Sequence, residues 1–265
     1  MGYQTVSEQI KPGMKVLLIL DHHGLGDQVM FRPLYLKMKE LYPDVTFNFK
    51  AGYGQEYFDE VNCPNYDATF NLGFYENDMR QVPQCLLMSK PEVCCIKELG
   101  IPFQKELEFT WKPDFIPNKI SIKPNTLAVI PFCHSAPSRS LTESALNFIW
   151  NTVKEFGFTP LEVHFEPAHY HKTPKYSFID YTCRSFKPSI PAVYDVLSKC
   201  KAAIGVNTGT FCVSVSLGLS VLHMTNTRRF YPHFKRFDPI PESVFASYGF
   251  IKEDIINFIQ GLAHD

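Results

Sequence analysis

Between His22 and Pro43 the chain reads HHGLGDQVMFRPLYLKMKELYP, which sets one carboxylate, Asp27, in a glycine turn at the mouth of a helix. Such turns serve either a dinucleotide or a sugar-transfer reaction. A carboxylate there can take a proton from a hydroxyl, whereas an aspartate at a helix start can also be only a cap. His22 and His23 flank it: a neighbouring imidazolium would keep Asp27 ionised, and apolar burial would raise its pKa. The dinucleotide reading needs G-x-G-x-x-G, but Gly24 and Gly26 are followed by Val29. The acidic residue expected at the end of the second strand is also missing, since NFKAG stands there.

Two other clusters carry reactive side chains. VHFEPAHYHK places His164, Glu166, His169 and His171 close together, which raises a metal site. His164 and Glu166 would share one strand face, but Pro167 breaks the strand before the other two histidines. The favoured alternative is a strand end at which Glu166 or a histidine touches a bound substrate, with no metal and no cofactor. TNTRRFYPHFKRFD mixes Arg228, Arg229, Lys235 and Arg236 with aromatic rings. It reads as a solvated loop, or as an anion clamp or acceptor platform, because arginines suit phosphate and aromatic faces suit sugars or bases. Stacking of exposed bases keeps a nucleic-acid acceptor open as the less favoured choice.

These residues need elements to hold them. MKVLLIL is a short apolar run that reads as a buried parallel strand entering the turn at His22. From Asp27 onward, Val29, Met30, Leu34, Leu36, Met38 and Leu41 recur at near-helical spacing, with Pro33 expected near the helix start. VTFNFKAG alternates as a second strand, GQEYFDEV is a short helix, YDATFNL a third strand, and QCLLMSKPEVCCIKELGI a helix interrupted at Pro91. The proline-rich stretch from Phe109 to Asn125 loses all periodicity and reads as a hinge. TLAVIPF then repeats the opening design, followed by the loop CHSAPSRS and the amphipathic helix LTESALNFIWNTVKEFG, closed at Gly157. LEVHF, YSFIDY, AAIGV and SVLHM supply strands, with helices IPAVYDVLSKC and TGTFCVSVSLG between them and a terminal helix IKEDIINFIQGLA. Strands alternating with helices in two sets imply an α/β protein of two doubly wound, Rossmann-like lobes facing a cleft. The expected domains are residues 1–118 and 119–265.

Bulk properties narrow the function. With 26 basic and 27 acidic residues the net charge is −1, which provides no broad electrostatic footprint for nucleic acid. No apolar run reaches the roughly 18 residues that span a bilayer, and the opening residues lack the pattern of a secretory signal. The expectation is a cytoplasmic protein, which includes one peripheral at the inner face of the membrane. Eight cysteines are scattered through apolar segments without CxxC spacing, so they read as reduced core thiols rather than a disulfide framework or a zinc site.

GLGDQVMFRPLYLKMKELYPDV near the start and KAAIGVNTGTFCVSVSLGLSVLHMT near the end together resemble the heptosyltransferase family, glycosyltransferase family 9, whose members have the two-lobed GT-B fold. PFCHSAPSRSLTESALNFI is similar to the first strand, loop and helix of that family's second lobe. The resemblance implies a metal-independent, inverting transfer of a sugar from a nucleotide-sugar donor to an acceptor hydroxyl, with Asp27 as general base. It implies that Arg139, with Ser135 in the same loop, contacts the donor diphosphate, and that Asn207, Thr208 and Gly209 form the donor loop. Glu166 would join the donor site, while Gly26, His23, Arg228 and Arg229 would meet acceptor or phosphate. The acceptor implied is a cell-surface glycan such as lipopolysaccharide. A transferase of the same fold acting on protein or modified DNA, and a module that binds nucleotide-sugar without turnover, are the alternatives. The chain departs from the family pattern at Asn207, usually aspartate, at Cys212, often histidine, at Leu219 and Ser220, where the family has proline, and at Leu141, usually aromatic.

Overall fold

A computed structural model describes residues 4–20, 24–52, 55, 65–73, 90–103, 120–133, 139–163, 190–225 and 244–264. The chain forms two compact units; the described residues up to 103 lie in the first and those from 120 onward in the second. The expected boundary at 118/119 falls outside the described residues.

The first unit opens with a short helix α1 (Val6–Gln9) and strand β1 (Lys15–Leu20), followed by helix α2 (Leu25–Leu41), β2 (Thr46–Ala51), β3 (Ala68–Asn71) and α3 (Lys90–Val93). α3 runs on as a wider π-helical segment, Cys94–Leu99. The three strands are parallel in the order β2-β1-β3, with Leu18 opposite Phe49 and Phe70. α2 lays Phe31, Leu34, Tyr35 and Met38 into the core. The Phe31 and Phe49 rings stack at 4.9 Å, and the Tyr35 hydroxyl donates to Phe47 O at 2.9 Å, so this buried polar tip is paired.

Two expectations change. Pro33 lies well inside α2 rather than near its start. Having no N–H, it cannot bond the Val29 carbonyl; the buried apolar face on both sides keeps the helix continuous. β2 does not alternate, because Phe47, Asn48 and Phe49 are all buried. Pro91 is the second described residue of α3, and the residues before Lys90, on which the expected interruption at Pro91 depends, lie outside the described residues. The π segment closes at Gly100 with φ +70°. A Cβ at Gly100 would come within 2.2 Å of both Ser7 Oγ and Thr5 Oγ1, so this position takes no side chain.

The second unit carries β4 (Thr126–Ile130), α4 (Glu143–Glu155), β5 (Thr159–Glu162), α5 (Ile190–Leu197), β6 (Ala202–Val206), α6 (Gly209–Ser216), β7 (Ser220–Thr225), β8 (Val244–Tyr248) and α7 (Lys252–His264). Its sheet is parallel throughout, in the order β5-β4-β6-β7-β8. Every residue of β4 and β6 is buried, as expected of central strands covered on both faces. Leu146, Ile149, Trp150 and Val153 of α4 and Ile255 and Ile259 of α7 pack with them in one core. Thr142 caps α4, its hydroxyl accepting from Ala145 N–H at 3.3 Å. β8 was not among the expected strands. The expected strand YSFIDY, and all of GQEYFDEV except Gln55, lie outside the described residues.

Candidate active site

Each unit has a place where consecutive connections leave a central strand on opposite sides, which in open parallel sheets opens a crevice at the carboxyl ends of the strands. In the first unit that strand is β1, flanked by β2 and β3, and the residues beyond its end begin α2. The cap of α2 is Gly24, not Asp27, and it offers no side chain to the helix start. Asp27 is the third helical residue; its N–H donates to Gly24 O at 3.0 Å and its side chain is buried at 8% exposure. An anionic side chain in the first turn is favoured by the helix dipole. Gly26 is buried in the same turn. Asp21, His22 and His23, and with them the expected electrostatic partners of Asp27, lie outside the described residues.

At the end of β3 a second carboxylate is held by the π segment. Glu98 accepts from Gly73 N–H at 3.0 Å through Oε1 and from the Cys94 thiol at 3.4 Å through Oε2. Burial first, then the Glu98 charge, pushes the Cys94 thiol well above its ordinary range. Burial first, then Glu92, pushes Cys95 up to about 12. Both thiols are inert at neutral pH. The five described cysteines, Cys94, Cys95, Cys133, Cys200 and Cys212, are buried and form no disulfide, consistent with core thiols.

In the second unit the corresponding place is between β4 and β6, since β5 lies on one side of β4 and β6 on the other. The two strands approach closely there: a Cβ on Gly205 would lie 2.6 Å from Ile130 Cβ and 2.8 Å from Ile130 O. Arg139 follows β4, in the loop that returns to it through Leu141 N–H to Pro131 O at 2.9 Å and Cys133 N–H to Ser140 Oγ at 2.9 Å. Asn207, Thr208 and Gly209 follow β6. Thr208 caps α6, its hydroxyl accepting from Phe211 N–H at 3.2 Å. The amides of Gly209 and Thr210 then have no intrahelical acceptor, as in any first turn. Beside them Asn207 Oδ1 is buried and accepts no hydrogen bond from any described residue. The half-site thus offers amide donors at the positive end of a helix, next to an acceptor oxygen without a donor. Together these fit a ligand bearing an anion and a hydroxyl.

Of the residues expected from sequence, Asp27 and Gly26 fall at the first place and Arg139, Asn207, Thr208 and Gly209 at the second. Ser135, Glu166, His23, Arg228 and Arg229 lie outside the described residues, as do His164, His169 and His171. Among the described residues no cluster of His, Cys, Asp or Glu could hold a metal ion, and no helix is long and apolar enough to cross a membrane. Sequence reasoning passed over Gln28 and Glu98. For Gln28 the available signal was a polar residue that breaks an otherwise apolar run after Asp27.

No family profile matches the chain, and comparison with curated proteins finds no match. Solved structures do match. The glycosyl transferase family 9 protein of Veillonella parvula aligns over 95% of this chain and 97% of its own, with TM-score 0.60 and 11% identity. Escherichia coli heptosyltransferase WaaC with ADP-2-deoxy-2-fluoro heptose aligns over 94% of this chain and 98% of its own, with TM-score 0.58 and 12% identity. E. coli ADP-heptose lps heptosyltransferase II aligns over 95% and 99%, with TM-score 0.53 and 10% identity. The likeness covers at least 94% of this chain and 97% of each partner, and at 10–12% identity it is a likeness of fold. The chain has the fold of these heptosyltransferases.

Proposed function

We propose that the protein is a glycosyltransferase that moves a sugar from a nucleotide-sugar to an acceptor hydroxyl, with inversion and without a metal. The observation that carries this reading is the arrangement at the end of β6, where the unpartnered Asn207 Oδ1 stands beside the first turn of α6. A nucleotide-sugar supplies both complements: diphosphate oxygens for the amides of Gly209 and Thr210, and a sugar hydroxyl for Asn207. Arg139 would offset the charge that develops on the leaving diphosphate. In the transfer step the acceptor oxygen bonds to the anomeric carbon as the bond from that carbon to the diphosphate breaks. The acceptor proton passes to Asp27, and the nucleoside diphosphate leaves.

A donor with ADP is favoured by the solved neighbours, whose descriptions include an ADP-heptose analogue and ADP itself. The name of the lps heptosyltransferase supports a cell-surface glycan as acceptor, and with it a cytoplasmic enzyme working near the membrane that carries that glycan. Calorimetry with ADP-, GDP-, UDP- and CMP-sugars, followed by transfer assays over saccharide, protein and modified-DNA acceptors, tests the proposal. Binding of one nucleotide-sugar class with transfer to saccharide is the expected result. Binding without transfer or hydrolysis would make the chain a binding module, and binding of none would remove the donor site.

A further inference from the structure

We propose that Gln28 is a positioning residue for Asp27, an inference that rests on the transfer reaction proposed above. Its neighbours Val29, Met30 and Phe31 are buried, and an apolar residue is the default at such a position. Gln28 is instead a fully buried carboxamide whose Nε2 donates to Leu20 O, the last carbonyl of β1. Its backbone N–H donates to Gly24 O at 3.3 Å, the same oxygen that accepts from Asp27 N–H at 3.0 Å. The peptide joining Asp27 to Gln28 is therefore fixed from two directions, by the helix cap and by the strand end. The side chain spans from the strand that enters the turn to the helix that leaves it, bypassing the three residues between Leu20 and Gly24. Asp27 cannot slide along or away from the end of β1 without breaking this bond. A buried carbonyl that lost its donor would also carry the full desolvation penalty. The placement of a general base is where such rigidity matters, because small displacements from the reacting oxygen cost large factors in rate.

The test is Gln28→Met, which keeps length and burial and removes the donor. The expected result is a folded protein with donor KM within about twofold of the native value and kcat lowered about tenfold or more. The acid limb of its pH–kcat profile is expected to move, because the surroundings of the Asp27 carboxyl change. A kcat within about twofold of the native value and an unmoved acid limb would overturn the inference. Should Gln28→Met not fold, Gln28→Glu takes its place: only its protonated form donates to Leu20 O, so its kcat relative to native is expected to fall as pH rises, and a constant ratio overturns the proposal. Native protein that transfers no sugar from any nucleotide-sugar would instead defeat the transfer reading. The positioning role is then judged by carboxyl-carbon NMR titration of Asp27, assigned with Asp27→Asn. A changed titration in Gln28→Met supports it, and an identical one overturns it.

Discussion

Asp195 and Lys199 form an ion pair of 2.6 Å whose two members hold the backbone of one residue, Ile120, from both sides. The Asp195 carboxylate accepts from Ile120 N–H at 2.7 Å, and the Lys199 ammonium donates to Ile120 O. Asp195 is fully buried, so removing its partner strands a charge. Lys199→Met is expected to lower the unfolding free energy by about 3 kcal/mol, read from urea denaturation. Asp195→Asn together with Lys199→Met, which removes both charges, is expected to cost less than Lys199→Met alone.

Gly205 is expected to admit no side chain. Gly205→Ala pushes a methyl against Ile130 Cβ at 2.6 Å and Ile130 O at 2.8 Å, and over-packing of this kind costs about 1–3 kcal/mol. Ile130→Ala keeps both the Cβ and the carbonyl oxygen that clash, so it should not restore stability in the double variant. Thermal denaturation of the single and double variants checks this, and full recovery would contradict the geometry.

The buried thiols of Cys94 and Cys95 set an alkaline limit. Their folded pKa values are raised above the ordinary 9.0, with Cys95 at about 12. Below pH 9 both states are protonated and the thiols do not alter stability. Above it the unfolded chain ionises first, so stability falls by about 1.4 kcal/mol per pH unit for each thiol kept protonated in the fold. Denaturation midpoints measured from pH 8 to 11 should decline, and Cys94→Ala/Cys95→Ala should decline less steeply.

Donor binding and turnover are expected to separate by unit. Asn207→Leu removes the acceptor oxygen beside α6 and should weaken nucleotide-sugar binding by about tenfold, read by calorimetry. Asp27→Asn should leave that binding unchanged while lowering kcat by about a thousandfold. Thr208→Val, which deletes the cap of α6, should lower stability by about 1 kcal/mol and weaken binding together.

The sequence disclosed much of this architecture in its apolar runs, although β1 proves buried only at alternate residues while β4 and β6 are buried throughout. MKVLLIL, TLAVI and AAIGV are continuous apolar runs, and each is a central strand; the residues that end them, Asp27 with its turn and Asn207 to Gly209, follow from where the runs stop. What depends on neighbours remained hidden. Gly24 rather than Asp27 caps α2 because the chain, not side-chain chemistry, sets the last non-helical residue. The π segment at Cys94–Leu99 has no period of its own over six residues. β8 was missed because VFASY is short, mixed in polarity and recognisable only by its pairing with β7. The bond from Gln28 to Leu20 likewise requires knowing that helix and strand return to one another.

The order β5-β4-β6 also has a consequence during synthesis. β4 ends at Ile130, but its second neighbour begins at Ala202, so the ribosome releases a strand with one edge bare and must add β5 and α5 before that edge is covered. The crevice between β4 and β6 comes into being only when Val206 joins the sheet, and Asn207, Thr208 and Gly209 are the next residues to emerge. A ligand held there cannot guide the earlier steps of assembly. It can only reward a nascent chain that has already closed its central strands, and chains truncated before β6 should be the ones that aggregate and are degraded.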